Sequence, residues 1–479
     1  MKRVLCFPSS LRTDIFKDLI KYGQEAKGWN VGLIFPRDKK KTEIFSEILN
    51  LGAKRYIPPD FYSEKNAEEI ESEKLKIIIK ECENATSLSA SRIILNGERA
   101  MGKAYSEGLY YLRRSRLQKA SLSDNTYPEK VVLRIFQYVI KVFEEFRPEL
   151  IISVRYGSPL VFATYLYSKR SNIPHIVLQH SRVLKNRMFW TNDFLLHNPF
   201  IKNVFDNKLE NNTEASDESY DYMTEFRKKP FIASYVASEK LGILSKRTWL
   251  DTYKGFYSAF TNNIPVLPKI YDHYRIKLMQ LCHRKFFKSY EADDLKKIKY
   301  IYYPLHLEPE MMLNQYAALW HNQRHTTKFI STMLPIGYKL IVREHIKNWG
   351  RRYKEYYKYL TRLPSVILVG PLESQFKYIQ NADLIITDNG STGWEGLLLK
   401  KPVITLEKTF YDVPGLSIQA TKPSKLDKYI LKALNDVNVY KSNEYDCRLR
   451  LFIDAEDETT LSVECNAEDH VQMINRLLN

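Results

Sequence analysis

The sequence predicts an α/β protein of two doubly wound, Rossmann-like halves facing a central cleft, with a helical insertion in the first half. Three observations carry this prediction. Strand-length apolar runs alternate with helix-periodic stretches near the N-terminus, and a second series of the same kind begins after residue 296. Between them lies a long stretch without alternation, polar and Asn-rich around Asn211–Asp221. The 479 residues also exceed the roughly 250–300 at which a single core stops growing.

In chain order, Val4–Phe7 reads as a strand, Asp14–Tyr22 as a helix with apolar Ile15, Phe16, Leu19 and Ile20, and Val31–Phe35 as the next strand. Thr42–Leu51 reads as a helix ending at Gly52, and Arg55–Ile57 as a strand before Pro58-Pro59. Residues from about 63 to 146 read as helical, with Val131, Val132, Ile135, Phe136, Val139, Ile140 and Phe143 on one face before Pro148. Glu149–Tyr156, ELIISVRY, is a buried strand; Gly157-Ser158-Pro159 opens a helix through Tyr167, and Pro174–Gln179 is the next strand. The second series runs Lys299–Pro304, Tyr338–Arg343, Val366–Val369, Asp383–Thr387 and Pro402–Leu406 as strands, with helices between them and Ser424–Leu434 after them. The expected divisions are 1–184, an interdomain region 185–295 with Tyr253–Tyr290 helical, 296–440, and a tail 441–479 packing back on the first half.

Composition narrows the function. With 44% hydrophobic and 27% charged residues the chain has the makings of globular cores, and 17 Gly and 20 Pro exclude collagen-like or low-complexity structure. Five scattered cysteines form no disulfide framework, so a reducing cytoplasm is expected. The apolar run after Met1-Lys2-Arg3 is too short for a signal peptide, and no run of about 18 apolar residues occurs, so membrane contact should be peripheral. A balance of 73 Lys+Arg against 56 Asp+Glu gives +17, which draws the surface toward phosphates, an anionic leaflet or nucleic acid.

In a doubly wound sheet, ligands meet the loops after the carboxyl ends of the strands, and the candidate residues lie there. Asp388-Asn389-Gly390-Ser391-Thr392-Gly393 follows a strand and opens a helix, so amides, hydroxyls and the helix dipole can hold a phosphate. Glu395, one turn in, can accept both hydroxyls of a ribose; the plain alternative is an N-cap at Ser391. Arg343-Glu344-His345-Ile346-Lys347 offers an imidazole and cations for a phosphate, or simply a solvated basic loop. His306, Glu308 and Glu310 follow the first strand of the second half, where the acids can equally complement a helix dipole. From the first half come Arg155, Ser158 and His180; His180 is the first choice of general base, against the alternative of a core histidine bonded to a carbonyl. The basic, aromatic run Arg351–Arg362 can bind RNA or a membrane surface, or can be an amphipathic helix whose tyrosines face inward.

Other chemistries lack their signals. There is no Gly-x-Gly-x-x-Gly after the first strand, no phosphate-binding GxxxxGK[ST], no Cys or His pair at zinc spacing, and no Gly-x-Ser-x-Gly elbow. No Asp-x-Asp pair stands ready to hold a divalent ion against a diphosphate, so no essential metal is expected.

YIYYPLHLEPE, LIVREH, VILVGP, DLIITDNGSTGWEGLLLKKPVITL and Tyr411 resemble, in order and spacing, the capsular polysaccharide synthesis family that includes the Kdo transferases of capsule export. The resemblance covers Lys299–Leu416 well, and the first half only by its order of strands and helices. It implies a two-domain GT-B-type glycosyltransferase that uses a nucleotide-activated sugar without a metal or other cofactor. Carried over by motif, Gly390, Ser391, Thr392, Gly393 and Glu395 grip donor phosphate and ribose, with Arg343, His345 and Tyr411 on the same donor site. His306 and Glu308 line the cleft and, with His180, are the candidates for acid or base, while Arg155 and Ser158 lie on the acceptor side. Two positions depart from the family pattern, which has Gln where His306 stands and Pro where Ile346 stands, so a CMP-linked sugar is one donor among several.

The expected function is sugar transfer from a nucleotide-sugar donor to a polysaccharide or lipid-linked acceptor, in the cytoplasm at the inner face of an anionic membrane, with nucleic acid an unlikely partner. Glycerophosphotransfer of the teichoic-acid type, sugar-nucleotide epimerisation, and a non-catalytic glycan- or lipid-binding scaffold are the alternatives.

Overall fold

The protein is described here by a computed structural model covering residues 2–8, 13–36, 39–62, 72–101, 126–154, 156–229, 266–308 and 310–479. Among these the strands are β1 (Arg3–Cys6), β2 (Asn30–Ile34), β3 (Lys54–Tyr56), β4 (Leu150–Ser153), β5 (His175–His180), β6 (Arg187–Thr191), β7 (Tyr300–Pro304), β8 (Lys339–Arg343), β9 (Val366–Val369), β10 (Leu384–Thr387), β11 (Val403–Thr405), β12 (Ile418–Gln419) and β13 (Leu461–Ser462). The described residues up to 211, with 452–479, form one compact unit, and those from 212 to 451 form another.

The first unit holds a sheet in the order β13-β6-β5-β4-β1-β2-β3, in which β3-β2-β1-β4-β5 are parallel. Its central strands β1, β4 and β5 are buried, largely apolar runs, as expected where both faces of a sheet are covered. Val4, Cys6, Leu33, Ile152, Ile176 and Trp190 are among the side chains of this core. The helix Tyr127–Phe146 buries the periodic stripe read from the sequence and stops at Arg147, whose left-handed φ of 50° lets its N–H reach the carbonyl of Phe143. Helices Ser72–Thr86 and Arg92–Met101 precede it; residues 63–71 and 102–125 of the expected insertion lie outside the described residues.

Two parts of this unit differ from the sequence reading. Thr42–Leu51 is two short helices, Lys39–Ile44 and Ser46–Asn50. The stretch after residue 185 contains β6, antiparallel to β5, with β13 antiparallel beyond it at the edge of the sheet. The C-terminal helix Ala467–Leu478, started by a reciprocal Asn466–Asp469 capping box, is tied in where Trp190 Nε1 donates to His470 Nδ1 at 3.1 Å.

The second unit holds an all-parallel sheet in the order β9-β8-β7-β10-β11-β12. This is the doubly wound order, whose direction reverses between β7 and β10, so the crevice for a ligand opens past the carboxyl ends of those two strands. Ile301, Tyr303, Leu340, Val342, Leu368, Leu384, Ile386 and Ile404 lie in its core. Among the described residues no helix is long and apolar enough to cross a membrane.

Candidate functional site

The switch point of the second sheet brings together the loop after β7, the loop after β8, and the turn after β10 that becomes the helix Ser391–Leu398. Gly390 occupies the N-cap with no side chain capping it, so Ser391 is the first helical residue rather than the cap. The turn is tight. Gly390 N–H donates to Thr387 Oγ1 at 3.2 Å, and its carbonyl accepts from Tyr411 Oη at 3.1 Å. A Cβ on Gly390 would lie 2.6 Å from His306 Cε1, and one on Gly393 would lie 1.9 Å from Tyr411 Oη. Only glycine lets backbone, imidazole and phenol approach this closely, which leaves helix-start amides beside the imidazole. Ser391 is exposed, while Thr392 and Gly393 are buried.

His306 is held from both sides of its backbone. Its N–H donates to Gln323 Oε1 at 2.5 Å, and its carbonyl accepts from Gln323 Nε2 at 3.1 Å and Asn348 Nδ2 at 3.0 Å. The imidazole Nε2 lies 3.4 Å from Thr387 Oγ1 and 3.6 Å from Asp388 Oδ2. Asp388 is fully buried and accepts from Tyr303 Oη at 3.1 Å on both carboxylate oxygens. Burial pushes its carboxyl up to about 8, against the pull of the Tyr303 hydrogen bond and helped by Glu407 and Glu308, so at neutral pH it is a carboxylic acid.

His345 donates its backbone N–H to Glu344 Oε1 at 2.6 Å and accepts from Lys347 N–H through Nδ1 at 3.3 Å. In the neutral ring that leaves the proton on Nε2. Burial, then His306, Arg343, Lys347 and Arg352, push His345 down to about 3, so it is a neutral donor that avoids a second positive charge. Glu395 is partly buried, accepts from Gln375 Nε2 at 2.8 Å, and is pushed up to about 8 by burial while Arg343 pulls the other way. Arg343 Nη2 donates to the carbonyls of Pro371 at 2.8 Å and Glu373 at 3.1 Å, which anchors the loop after β9 beside the site.

Of the residues singled out in the sequence, His306, Arg343, His345, Gly390, Ser391, Thr392, Gly393, Glu395 and Tyr411 all belong to this switch-point region of the second unit. Glu308 shares its loop but points into the interior, where its Oε2 accepts from Arg352 Nη1 at 2.6 Å and Gln323 Nε2 at 2.9 Å. A carboxylate so engaged is a structural anion rather than a base open to substrate. His180 ends β5 of the first unit, partly buried opposite Met188. Ser158 is the N-cap of helix Pro159–Arg170, its Oγ accepting from Val161 N–H at 3.1 Å, and Arg155 lies outside the described residues. Tyr303, Gln323, Asn348, Arg352 and the role of Asp388 were not found by sequence reasoning; only Asp388 carried a local signal, as the first residue after an apolar strand. Among the described residues no group of three or more His, Cys, Asp or Glu side chains is placed to hold a metal ion.

The second unit is thus a doubly wound α/β fold whose polar groups converge where its strand order reverses. Its segment 277–445 matches the family model described as capsule polysaccharide biosynthesis protein, which supports the resemblance read from the sequence. No curated protein matches the chain in sequence. Among solved structures, the beta Kdo 2,7 transferase of Thermosulfurimonas dismutans KpsC is similar at 13% identity over 72% of this chain and 90% of that one, with a TM-score of 0.33. Its beta Kdo 2,4 transferase is similar at 14% identity over 66% and 85%, with a TM-score of 0.32. The UDP-GlcNAc 2-epimerase of Neisseria meningitidis is similar at 12% identity over 99% and 100%, with a TM-score of 0.25. Likeness at this level carries no argument about chemistry.

Proposed function

We propose that this chain is a metal-independent glycosyltransferase of the capsule-synthesis type, moving a sugar from a nucleotide-activated donor to a polysaccharide or lipid-linked acceptor at the inner face of an anionic membrane. The observation that supports it most is the glycine-walled turn Gly390–Gly393 beside the His306 imidazole at the sheet's switch point. A phosphate at this helix start meets the amides and hydroxyls of Ser391 and Thr392 and the positive end of the helix dipole. His306 and His345 donate to its oxygens, and Glu395 accepts from ribose hydroxyls.

In the transfer step the bond from the acceptor oxygen to the anomeric carbon forms as the bond from that carbon to the donor phosphate breaks. The leaving nucleotide takes the electron pair, and the amides and imidazoles stabilise its growing charge. The acceptor's proton passes to a general base. A CMP-linked sugar is one candidate donor among several.

The test is incubation with a panel of nucleotide sugars, with and without glycan or lipid-linked acceptors. The reading expects nucleotide release that depends on acceptor and yields a glycosylated product. Interconversion of sugar nucleotides without acceptor, or binding without turnover, contradicts it.

A further inference from the structure

The two imidazoles of the site stand on different loops, His306 after β7 and His345 after β8. Buried side chains join those loops through a single guanidinium. Arg352 is wholly inaccessible to solvent; its Nη1 donates to Glu308 Oε2 at 2.6 Å and its Nε to Glu344 Oε2 at 2.9 Å. Glu308 lies two residues from His306, and Glu344 directly precedes His345 and accepts that residue's N–H on its other oxygen. Asn348 closes the set, donating from Nδ2 to the His306 carbonyl and accepting the Glu308 N–H on Oδ1 at 3.3 Å. The guanidinium carbon rests 4.2 Å from the centroid of the Tyr356 ring, which fixes the plane of the fork.

Stability alone does not account for such an arrangement. Replacing a buried ion group with apolar side chains of similar volume is often neutral or stabilising, so an anion–cation–anion set is better explained by what it holds in register. A planar fork can meet two carboxylates approaching from different loops, whereas the single ammonium of a lysine is a point charge. We infer that Arg352 is a positioning residue: it sets the separation of His306 and His345, and through them the affinity for the donor phosphate. The inference rests on the donor reading above.

The test uses Arg352→Lys in the full chain, because the retained charge keeps the two buried carboxylates partnered and the protein folded. Donor KM should rise about tenfold or more, and kcat should fall as well, since the imidazoles misplaced by a fraction of an ångström both bind the phosphate and stabilise the charge of the leaving nucleotide. In protein with isotope-labelled histidine and no ligand, the imidazole signals of His306 and His345 should move, while those of His175 and His470 in the first unit stay in place. Trp190→Phe, which loosens the first unit, should leave donor KM unchanged. Wild-type donor KM in Arg352→Lys, unmoved signals from His306 and His345, or an equal loss of affinity in Trp190→Phe would each overturn the inference. Should the unaltered chain bind no donor, the donor reading fails, and the imidazole signals alone decide whether Arg352 positions the two rings.

Discussion

Asp388 offers the sharpest physical test of the site. Its carboxyl is held at about 8 against an ordinary 3.8, so the folded protein keeps a proton that the unfolded chain has lost. For an acid raised in this way the stabilising contribution is complete below the unfolded value and is lost as pH rises through the folded one. Asp388→Asn retains the shape and an oxygen for Tyr303 Oη but removes the titration. Integrated from pH 6.5 to 8.5, the proton held by a group titrating near 8 is worth about 2 kcal/mol, at about 1.36 kcal/mol per pH unit. The window lies above the range where His175, His345, His283 and His470, all pushed well below their ordinary value by burial, change charge. Glu395 titrates in the same window with the same sign, so the comparison must be between the two proteins rather than between two pH values. Urea unfolding at both pH values should show the wild type losing about 2 kcal/mol more than Asp388→Asn. Equal losses would refute the assignment of a neutral acid at this position.

Three other outcomes follow from particular contacts. Gly393→Ala forces a methyl into Tyr411 Oη, so it should cost about 1–3 kcal/mol by overpacking and abolish nucleotide-induced stabilisation, measured by thermal denaturation with and without ligand. His345 should show no protonation in an NMR titration from pH 8 down to 5, because it titrates near 3; a midpoint above 6 contradicts its burial beside His306. Trp190→Phe removes the donor to His470 Nδ1 and leaves a small void, so urea unfolding should register a loss of about 1–3 kcal/mol.

How far the sequence foretells this molecule depends on whether the determining interaction is local. The parallel strands were legible because burial on both faces makes each a continuous apolar run, as in LIIS at β4 and LIIT at β10. The glycine-rich turn at Gly390–Gly393 was legible for the same reason, since it directly follows such a run. β6 was not, because RMFWT lacks the alternation of a half-buried strand and the six residues 181–186 that join it to β5 hold no Gly or Pro to signal a hairpin. Arg352 stood in a basic run that reads as a helix with inward tyrosines, and Tyr356 and Tyr357 are indeed buried. What buries Arg352 itself is a pair of carboxylates, one of them 44 residues away in the chain. Glu308 likewise looked like an open acid because its partners, Arg352 and Gln323, meet it only in the fold.

The central claim is that the turn after β10 receives the phosphate of a nucleotide, and ligand-induced stabilisation tests it most directly. CMP, CDP, UDP, GDP and ADP would each be added to the full chain and to its Ser391→Ala and Glu395→Ala variants. A ligand at about a hundredfold its Kd stabilises by about 2.7 kcal/mol, which for a unit of this size raises the melting temperature by roughly 5–10 °C. The account predicts that one nucleotide class does so in the wild type, and that both variants diminish the effect. No rise with any nucleotide, or a rise that both variants retain in full, contradicts it.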